Sequence, residues 1–558
     1  MRLLFVFLLI CAAFAKKPYC QRSEPCWPSD EEIKTLYRSL DPEKSKRILR
    51  SAVGEPLHCA IPQGSPYDQP LFGIGVNGLE PLYITGSNNT KRPCFYNSTP
   101  DDKPFFDLEC AAATRNNPLH WWNPAFVVFA LRSTHVQLAL SFAMTHNLCV
   151  SVAGPGHDFL NRHSCNDGVL IRTILMKKQV FNLAADTFTF GPGIVFAEAH
   201  SFAAEQNRVL SSGWASTVGI VGWSLGGGHG PFAPSLGLGV DNIVELEVVT
   251  ADGEIRRANA TGPAADLFKA MRGGGGSTWG VVTEITVRAH PIPIGGFTQI
   301  LANPNGTFCE TAKLSASVDG YIQWAAGLDK HWSGLTYWTP HYSGDPRQCG
   351  GTWEVLTVYV YNGPVGSADF NITLLYLDGN FTGGRNLIRY FATWYDYVKN
   401  DLEPIIPTPW APPSATSYGG LPSVLVNRSV LVSGAYRNHI VDFLSKCADD
   451  SSQCHQQQLF QTITGQLGSP QPTQGVSISH GLRTSVIHHL SFGYTLADTD
   501  KTYELGDHSY FAESAFGMPG WQNRYWGKET YAELLKVKSK YDPDGVFWCH
   551  HCVGDMSQ

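Results

Sequence analysis

The sequence predicts an α+β protein built in at least two parts. Three observations carry that prediction. Strand-like and helix-like segments alternate from Pro124 to about residue 290. After Pro291-Ile292-Pro293 the texture changes to strands rich in Thr, Tyr and Trp. The length, 558 residues, exceeds what one hydrophobic core usually holds.

In chain order, Phe126-Val127-Val128-Phe129 is strand-like, and Ser133 is placed to cap a helix running through His146. That helix would bury Val136, Leu138, Ala139, Leu140, Phe142 and Ala143. Leu148 to Val152 reads as a buried strand and Val169-Leu170-Ile171 as another. Val240 to Val249 alternates as a strand and turns at Asp252-Gly253. A helix from Ala264 to Met271 follows, and four glycines then lead into a strand from Trp279 to Val287. In the second part Trp353 to Tyr361 reads as a strand and Arg385 to Val398 as a helix. Near residue 505 a polar stretch gives way to a short final segment, and there is no repeat or low-complexity tract.

Charge narrows the choice of partners. Lys+Arg total 41 and Asp+Glu 48, so the net charge is 41 − 48 = −7. Charged residues make up only 16%, below the ~25% of an ordinary soluble protein, while 43% are hydrophobic. A largely disordered chain is excluded. No Lys/Arg block provides a footprint for nucleic acid or an anionic membrane, so neither is expected as a partner.

The compartment is legible as well. Arg2, the apolar run Leu3 to Ile10 and Ala13-Phe14-Ala15 have the form of a signal peptide over residues 1–15. That run is too short for a bilayer span, which needs ~20 residues. Asn88, Asn97, Asn259, Asn305, Asn371, Asn380 and Asn427 each open an N-linked glycosylation sequon. A secreted, extracellular glycoprotein is expected.

The cysteines agree with that setting. Of 14, Cys11 leaves with the signal peptide, so an odd number remains. Cys149, inside the strand-like Leu148 to Val152, is the expected unpaired one. Cys447/Cys454, Cys309/Cys349 and Cys549/Cys552 are plausible disulfides, and Cys20, Cys26 and Cys59 would tie down a polar arm after residue 16. Cys549-His550-His551-Cys552 is also a zinc-like pattern, but an oxidising compartment favours the disulfide, and no metal site is expected.

Three glycine-rich places point to chemistry. Ala153-Gly154-Pro155-Gly156-His157-Asp158 follows a buried strand, where glycine allows positive φ and a concave row of N–H groups. Trp214-Ala215-Ser216-Thr217-Val218-Gly219 runs through Gly222 to Gly226-Gly227-Gly228-His229-Gly230 and suggests a flat ligand pressed on main chain. The third is Arg272-Gly273-Gly274-Gly275-Gly276-Ser277, with Thr278-Trp279-Gly280-Val281-Val282 after it. No Lys follows its glycines, which excludes a nucleotide P-loop, and none of the three opens a helix as a nicotinamide fingerprint does. A large, flat, anionic cofactor such as a flavin dinucleotide fits. Tight turns with an ordinary His157 are the competing reading.

These motifs together resemble the flavin-binding half of the berberine bridge enzyme-like oxidoreductases, in the vanillyl-alcohol oxidase/p-cresol methylhydroxylase superfamily. The likeness continues through Gly237-Leu238-Gly239-Val240-Asp241-Asn242 and Val248 to Gly253. It resumes at Tyr525-Trp526-Gly527 and Leu535 to Pro543. Cys26-Trp27-Pro28-Ser29 and Phe547-Trp548 resemble the secreted fungal-type branch. The resemblance implies an arm over 16–120, a two-part flavin domain of the p-cresol methylhydroxylase type over 121–292, and a substrate domain over 293–504. The substrate domain would hold an antiparallel sheet covered by helices, and 505–558 would return to the flavin domain.

The resemblance also implies roles. His157 matches the histidine joined covalently to FAD, and Gly154, Pro155, Gly156 and Asp158 belong to the loop around it. Ala215 stands where many relatives have a second linking cysteine, so one covalent link is implied. Ser216, Thr217, Gly219, Gly222, Gly227, Gly228, His229, Gly280, Val281 and Val282 would complete the cofactor wall. Val218 occupies the position where a small residue admits O2, which favours an oxidase. The family's Asn-Tyr pair appears here as Thr530-Tyr531 with one extra residue, a departure.

The implied reaction is hydride transfer from an alcohol or carbohydrate substrate to FAD, then electrons to O2 to give H2O2. It needs a base of suitable pKa within reach of the substrate proton. Glu513, Tyr510, His488 and Tyr525 are the candidates, with Glu513 preferred because Tyr510-Phe511-Ala512-Glu513 resembles a motif beside the flavin. His488 and His489 alternate on a strand, so at most one of them faces the pocket. Tyr337-Trp338, Trp353 and Tyr359-Val360-Tyr361 could stack on a substrate ring or fill a core, the core being the expectation. A flavoprotein without turnover, a dehydrogenase using another acceptor, and a cofactor-free glycan binder remain alternatives at this level.

Overall fold

The computed structural model describes residues 19–20, 24–40, 48–50, 126–160, 162–163, 165, 168–294, 296–302, 304–364, 387–399, 421–451, 457–461, 475–491 and 496–555. The expected signal peptide, most of the arm with Cys59, Cys454, and the sequons at Asn88, Asn97, Asn371 and Asn380 lie outside these residues. The architecture is α+β; the described residues form three larger sheets and a two-stranded one pairing Arg208–Val209 with His290–Pro291.

The first sheet runs Ile48–Arg50, Phe126–Phe129, Val169–Arg172, Val150–Ala153, the last three mutually parallel. Both faces of a parallel strand are buried, which explains the unbroken apolar runs. The helix Ser133–Thr145 makes the crossover and buries Val136, Ala139, Leu140, Phe142 and Ala143. Its N-cap is Arg132 rather than Ser133, because the Ser133 hydroxyl donates to Glu247 on a neighbouring strand at 2.8 Å.

The second sheet is antiparallel, in the order Gln179–Asn182, Thr187–Phe190, Gly280–Arg288, Ile243–Thr250, Ile255–Asn259. The strand expected from Val240 begins only at Ile243, since Gly239–Asn242 forms a helical turn whose Asp241 caps Leu238 N. Helices Phe196–Glu205, Ala265–Met271 and Lys528–Tyr541 share one core with this sheet.

The large sheet is wholly antiparallel, in the order Leu387–Phe391, Phe297–Ala302, Gly351–Tyr361, Trp332–Tyr342, Gln457–Gln461, Ser485–Ser491, Ser423–Asn427. Side chains alternate across it. Trp332, Trp338, Trp353, Tyr359 and Tyr361 pack under helices Thr311–Gly327 and Ala435–Ser445. Leu335, Tyr337, Val358 and Val360 face Trp214, Phe232 and Trp394 on the other side. The aromatic-rich strands are therefore mostly core, and of those residues only Tyr337 and Val360 belong to the face toward the flavin-type half.

Two expectations are overturned. Leu387–Phe391 is a strand registered against Phe297–Ala302 rather than the start of a helix. Its Leu-Ile-Arg-Tyr-Phe run suits a pleated edge, and helix is confined to Trp394–Tyr397 with Thr393 as cap. Cys149 is paired, not free: it is bonded to Cys165. The strand starts at Val150, one residue beyond Cys149, and the bridge packs against Gly168, where a Cβ would lie 2.4 Å from Cys165 Sγ. Cys309–Cys349 and Cys549–Cys552 are disulfides as expected, and Cys20 pairs with Cys26.

The final segment is clamped onto the first two sheets. Phe547 bridges to Val150, and the buried Lys538 Nζ donates to Thr278 O at 2.6 Å, Asp542 at 2.6 Å and Phe547 O at 2.8 Å. Removing one member of a buried ion pair typically costs about 3–5 kcal/mol. Lys538→Met is expected to lower the denaturant midpoint correspondingly, whereas Lys540→Met, on the exposed side of the same helix, leaves it unchanged. Equal midpoints for the two variants would show that the clamp does not hold the segment.

Candidate functional site

A cleft, part of it open to solvent, lies where the three glycine-rich segments meet. Its walls come from Val152–Phe159, Gly213–Ala215, Val218–Gly219, Val221–Trp223, Gly276–Ser277 and Tyr510–Glu513, among others.

The first wall is the loop leaving the strand Val150–Ala153. Gly156 adopts φ +103°, open to glycine and costly for other residues, and a Cβ there would meet the Arg172 guanidinium at 3.3 Å. Pro155 lies against Gly219 so closely that a Cβ on Gly219 would sit 2.4 Å from the proline ring. His157 is hydrogen-bonded to the Thr217 backbone, while its Nε2 is buried with no partner among the described residues. Burial pushes the ring down to about 4, against the smaller upward pull of that hydrogen bond, so it is neutral at ordinary pH. Asp158 is spent on the loop itself: it accepts from Leu160 N and Arg162 N, each at 3.0 Å, and pairs with the Arg162 guanidinium at 2.8 Å.

The second segment divides its labour. Ala215, Val218, Gly219, Gly222 and His229 line the cleft, and a Cβ on Gly222 would meet nothing within 4 Å. Ser216 and Thr217 lie behind that wall; Ser216 O accepts from Ala197 N at 2.8 Å. The cluster Gly226 to Gly230 does not present main chain to a ligand, contrary to the reading from sequence. A Cβ on Gly228 would lie 2.8 Å from Gly239 Cα, and one on Gly227 3.1 Å from the Tyr510 ring. These glycines let the chain cross itself. Only the His229 side chain of this cluster reaches the cleft.

The third segment behaves likewise. Gly273 and Gly275 both donate to Leu225 O at 3.1 Å, and a Cβ on Gly275 would strike the Phe511 ring. Gly276, Ser277, Gly280 and Val282 line the cleft. Val281 points the opposite way, into the core of the parallel sheet, because successive strand residues alternate.

The four candidate acid–base groups are brought close but not equally. Glu513 lies on the cleft wall, its Oε2 3.0 Å from His229 Nε2 and 3.2 Å from His488 Nδ1. Burial alone would raise its pKa; the two imidazoles outweigh that and hold it down at about 2. His488 is fully buried behind Glu513, outside the lining, and burial lowers its pKa. Its neighbour His489 faces the helical side, bonded to Tyr436 at 3.1 Å. Tyr510 OH accepts from Gly228 N at 3.1 Å, and burial with the Glu513 charge raises its pKa, so it acts as a fixed wall and acceptor. Tyr525 does not reach the cleft: its hydroxyl is bonded to Ser514 in the core.

Sequence reasoning missed Arg162, His163 and Phe511. Arg162 stacks over Phe511 at 3.8 Å and donates to Phe511 O at 2.8 Å, while its Nη1 and both His163 ring nitrogens are buried without partners among the described residues. For Arg162 and His163 the spacing just after Gly154–Asp158 was the available signal, and for Phe511 its place beside Glu513. Orphaned buried donors beside an open glycine wall fit an acceptor-rich, anionic, planar group such as FAD.

Comparison with known proteins agrees. Residues 124–259 match the family described as FAD binding domain, and 509–554 that described as berberine and berberine like. The FAD-linked oxidoreductase ZEB1 of Gibberella zeae is 26% identical, covering 96% of this chain and 92% of that protein. The FAD-linked oxidoreductase cheF of Chaetomium globosum is 27% identical, covering 76% of this chain and 68% of that protein. Among solved structures, the VAO-type flavoprotein MtVAO615 of Myceliophthora thermophila has the same fold, with a TM-score of 0.71 at 20% identity over 96% of this chain and 97% of that one. Chitooligosaccharide oxidase follows with 0.62 at 19% identity over 78% and 93%.

Filling the open side of the wall offers a check. Gly222→Leu, in the helix Ile220–Leu225, is expected to keep the circular-dichroism spectrum of a folded chain and to abolish FAD retention, read as flavin absorbance per chain. Retention at the unsubstituted level would place the cofactor elsewhere.

Proposed function

The chain belongs to the berberine bridge enzyme-like FAD-linked oxidoreductases of the vanillyl-alcohol oxidase superfamily, and from that premise we propose a secreted oxidase with FAD carried on His157. It would oxidise the CH–OH group of an alcohol or carbohydrate and hand the electrons to O2, releasing hydrogen peroxide. One observation carries the reading: a neutral buried imidazole and an ionised carboxylate stand on the walls of the same glycine-lined cleft.

Bound FAD would supply the hydride acceptor and the onward path of the electrons to O2. The remaining work falls to side chains. His157, neutral and held by Thr217, has a ring nitrogen lone pair available for a covalent link. Ala215 offers no second nucleophile, which supports a single link. Arg162 and His163 would satisfy cofactor acceptors, and Gly222 and Gly276 leave room for a flat ring. Glu513 would take the substrate hydroxyl proton, with His229 fixing its orientation. Tyr337, whose pKa burial and the Glu513 charge raise, stays protonated as a donor nearby. Val218 is a small, partly buried residue on the wall, which supports access of O2 to the ring.

Secretion is supported by the disulfides and the sequons; Asn305 and Asn427 are exposed, and Asn259 is half-buried. Among the described residues no helix is long and apolar enough to cross a membrane.

Two measurements test the proposal. Purified protein should stay yellow after acid precipitation, the peptide containing His157 should carry the mass of FAD, and His157→Ala should lose both; a colourless acid pellet from the unsubstituted protein overturns the link. Against sugars and alcohols that release peroxide, Glu513→Gln should lower kcat/KM by about 10²–10⁴-fold, the usual worth of a positioned base. A base is lost when protonated, and Glu513 protonates only toward pH of about 2, so it should impose no acid limb on kcat/KM at mildly acidic pH. A steep acid limb near neutrality would assign the proton to another group.

A further inference from the structure

We propose that His229, His488 and Glu513 form a binding site for a divalent transition-metal ion of the zinc type, open to the cleft on its remaining side. The three residues come from separate segments: the glycine turn before Ala233–Leu236, the strand Ser485–Ser491 and the loop after Tyr510. One ligand atom from each lies within 4.8 Å of the other two. His229 Nε2 and His488 Nδ1 stand 3.0 and 3.2 Å from the same carboxylate oxygen.

A carboxylate that needs only orientation is served by one imidazole. Two imidazoles and one carboxylate from three segments make the donor set of zinc sites with an open position. Atoms held ~2.0–2.2 Å from a tetrahedral ion lie about 3.3–3.6 Å apart, so the two imidazole–carboxylate spacings need to open by only a few tenths of an ångström, and the two imidazole nitrogens stand within 4.8 Å of each other. Two nitrogens and one oxygen favour zinc, copper or their neighbours over magnesium or calcium. Tyr510 packs edge-on against both imidazoles, with ring centroids at 4.9 and 5.6 Å, and restricts their rotation. Glu513 and His229 line the cleft, so an ion entering there keeps its open position toward the substrate side. The other cluster of this kind among the described residues, Cys20, Glu24 and Cys26, is closed by a disulfide.

The consequence rests on the oxidase reading: an ion on Glu513 occupies the lone pair that would accept the substrate proton, so zinc acts as a reversible inhibitor from inside the cleft. Binding itself does not depend on that reading, and it is measured without turnover. Chelator-dialysed holoprotein titrated with Zn2+ by calorimetry, and counted by metal analysis, should retain one ion per chain. Cu2+ in the same protein should show electron paramagnetic coupling to two imidazole nitrogens.

Glu513→Gln and His488→Gln should each weaken Zn2+ binding at least about 10-fold, the cost already seen for outer-shell partners. Flavin absorbance and circular dichroism verify that both variants are folded. No retained ion, Cu2+ without imidazole coupling, or equal affinity in the folded variants would overturn the site, and none of these results bears on whether His157 carries flavin.

Discussion

The cleft depends on one close approach, the Pro155 ring laid against the Cα of Gly219. No side chain fits between them, so the loop leaving the parallel sheet and the segment entering the helix Ile220–Leu225 are locked at fixed distance. That lock brings the Thr217 backbone to the His157 ring and sets Ala215 and Val218 across from it. Any larger residue at position 219 would separate the two loops before it touched a ligand. The chemistry is thus placed by backbone contact, with side-chain packing following from it.

The same economy recurs around the cleft. Gly228 crosses Gly239, with Gly239 N donating to Gly228 O at 2.7 Å, and Gly275 lies under the Phe511 ring. Phe511 in turn carries the Arg162 guanidinium, whose partner Asp158 ends the first loop. A chain of contacts therefore runs from the strand Val150–Ala153 through the C-terminal segment and back to the loop that follows that strand. Three stretches distant in sequence are rigid together because each supplies the space that another needs.

Much of this was legible in the sequence. Apolar runs gave the parallel strands, and glycine clusters after strands marked where the chain turns tightly. What the glycines do was less legible. Glycine is required equally where a ligand or another piece of backbone approaches, and only the fold distinguishes Gly222, open to the cleft, from Gly228, closed by Gly239. Cys149 was misread because its partner, Cys165, sits beyond a loop whose path no local pattern encodes. The edge strand Leu387–Phe391 was misread because its pairing with Phe297–Ala302 is a long-range choice. The alignment of His488 with Glu513 depends on strand register and was equally out of reach, although alternation correctly separated His488 from His489.

The C-terminal clamp has a consequence for biogenesis. Phe511 and Glu513 form part of the cleft, and Val546 O and Phe547 close onto the strand at Val150. During synthesis the amino-terminal sheets emerge with that side of the binding surface missing. Domains ordinarily fold as they leave the ribosome, but here the pocket stays incomplete until the stretch from Tyr510 to Phe547 has emerged. A chain cut before Tyr510 would keep most of its sheets and lack that wall of the cleft.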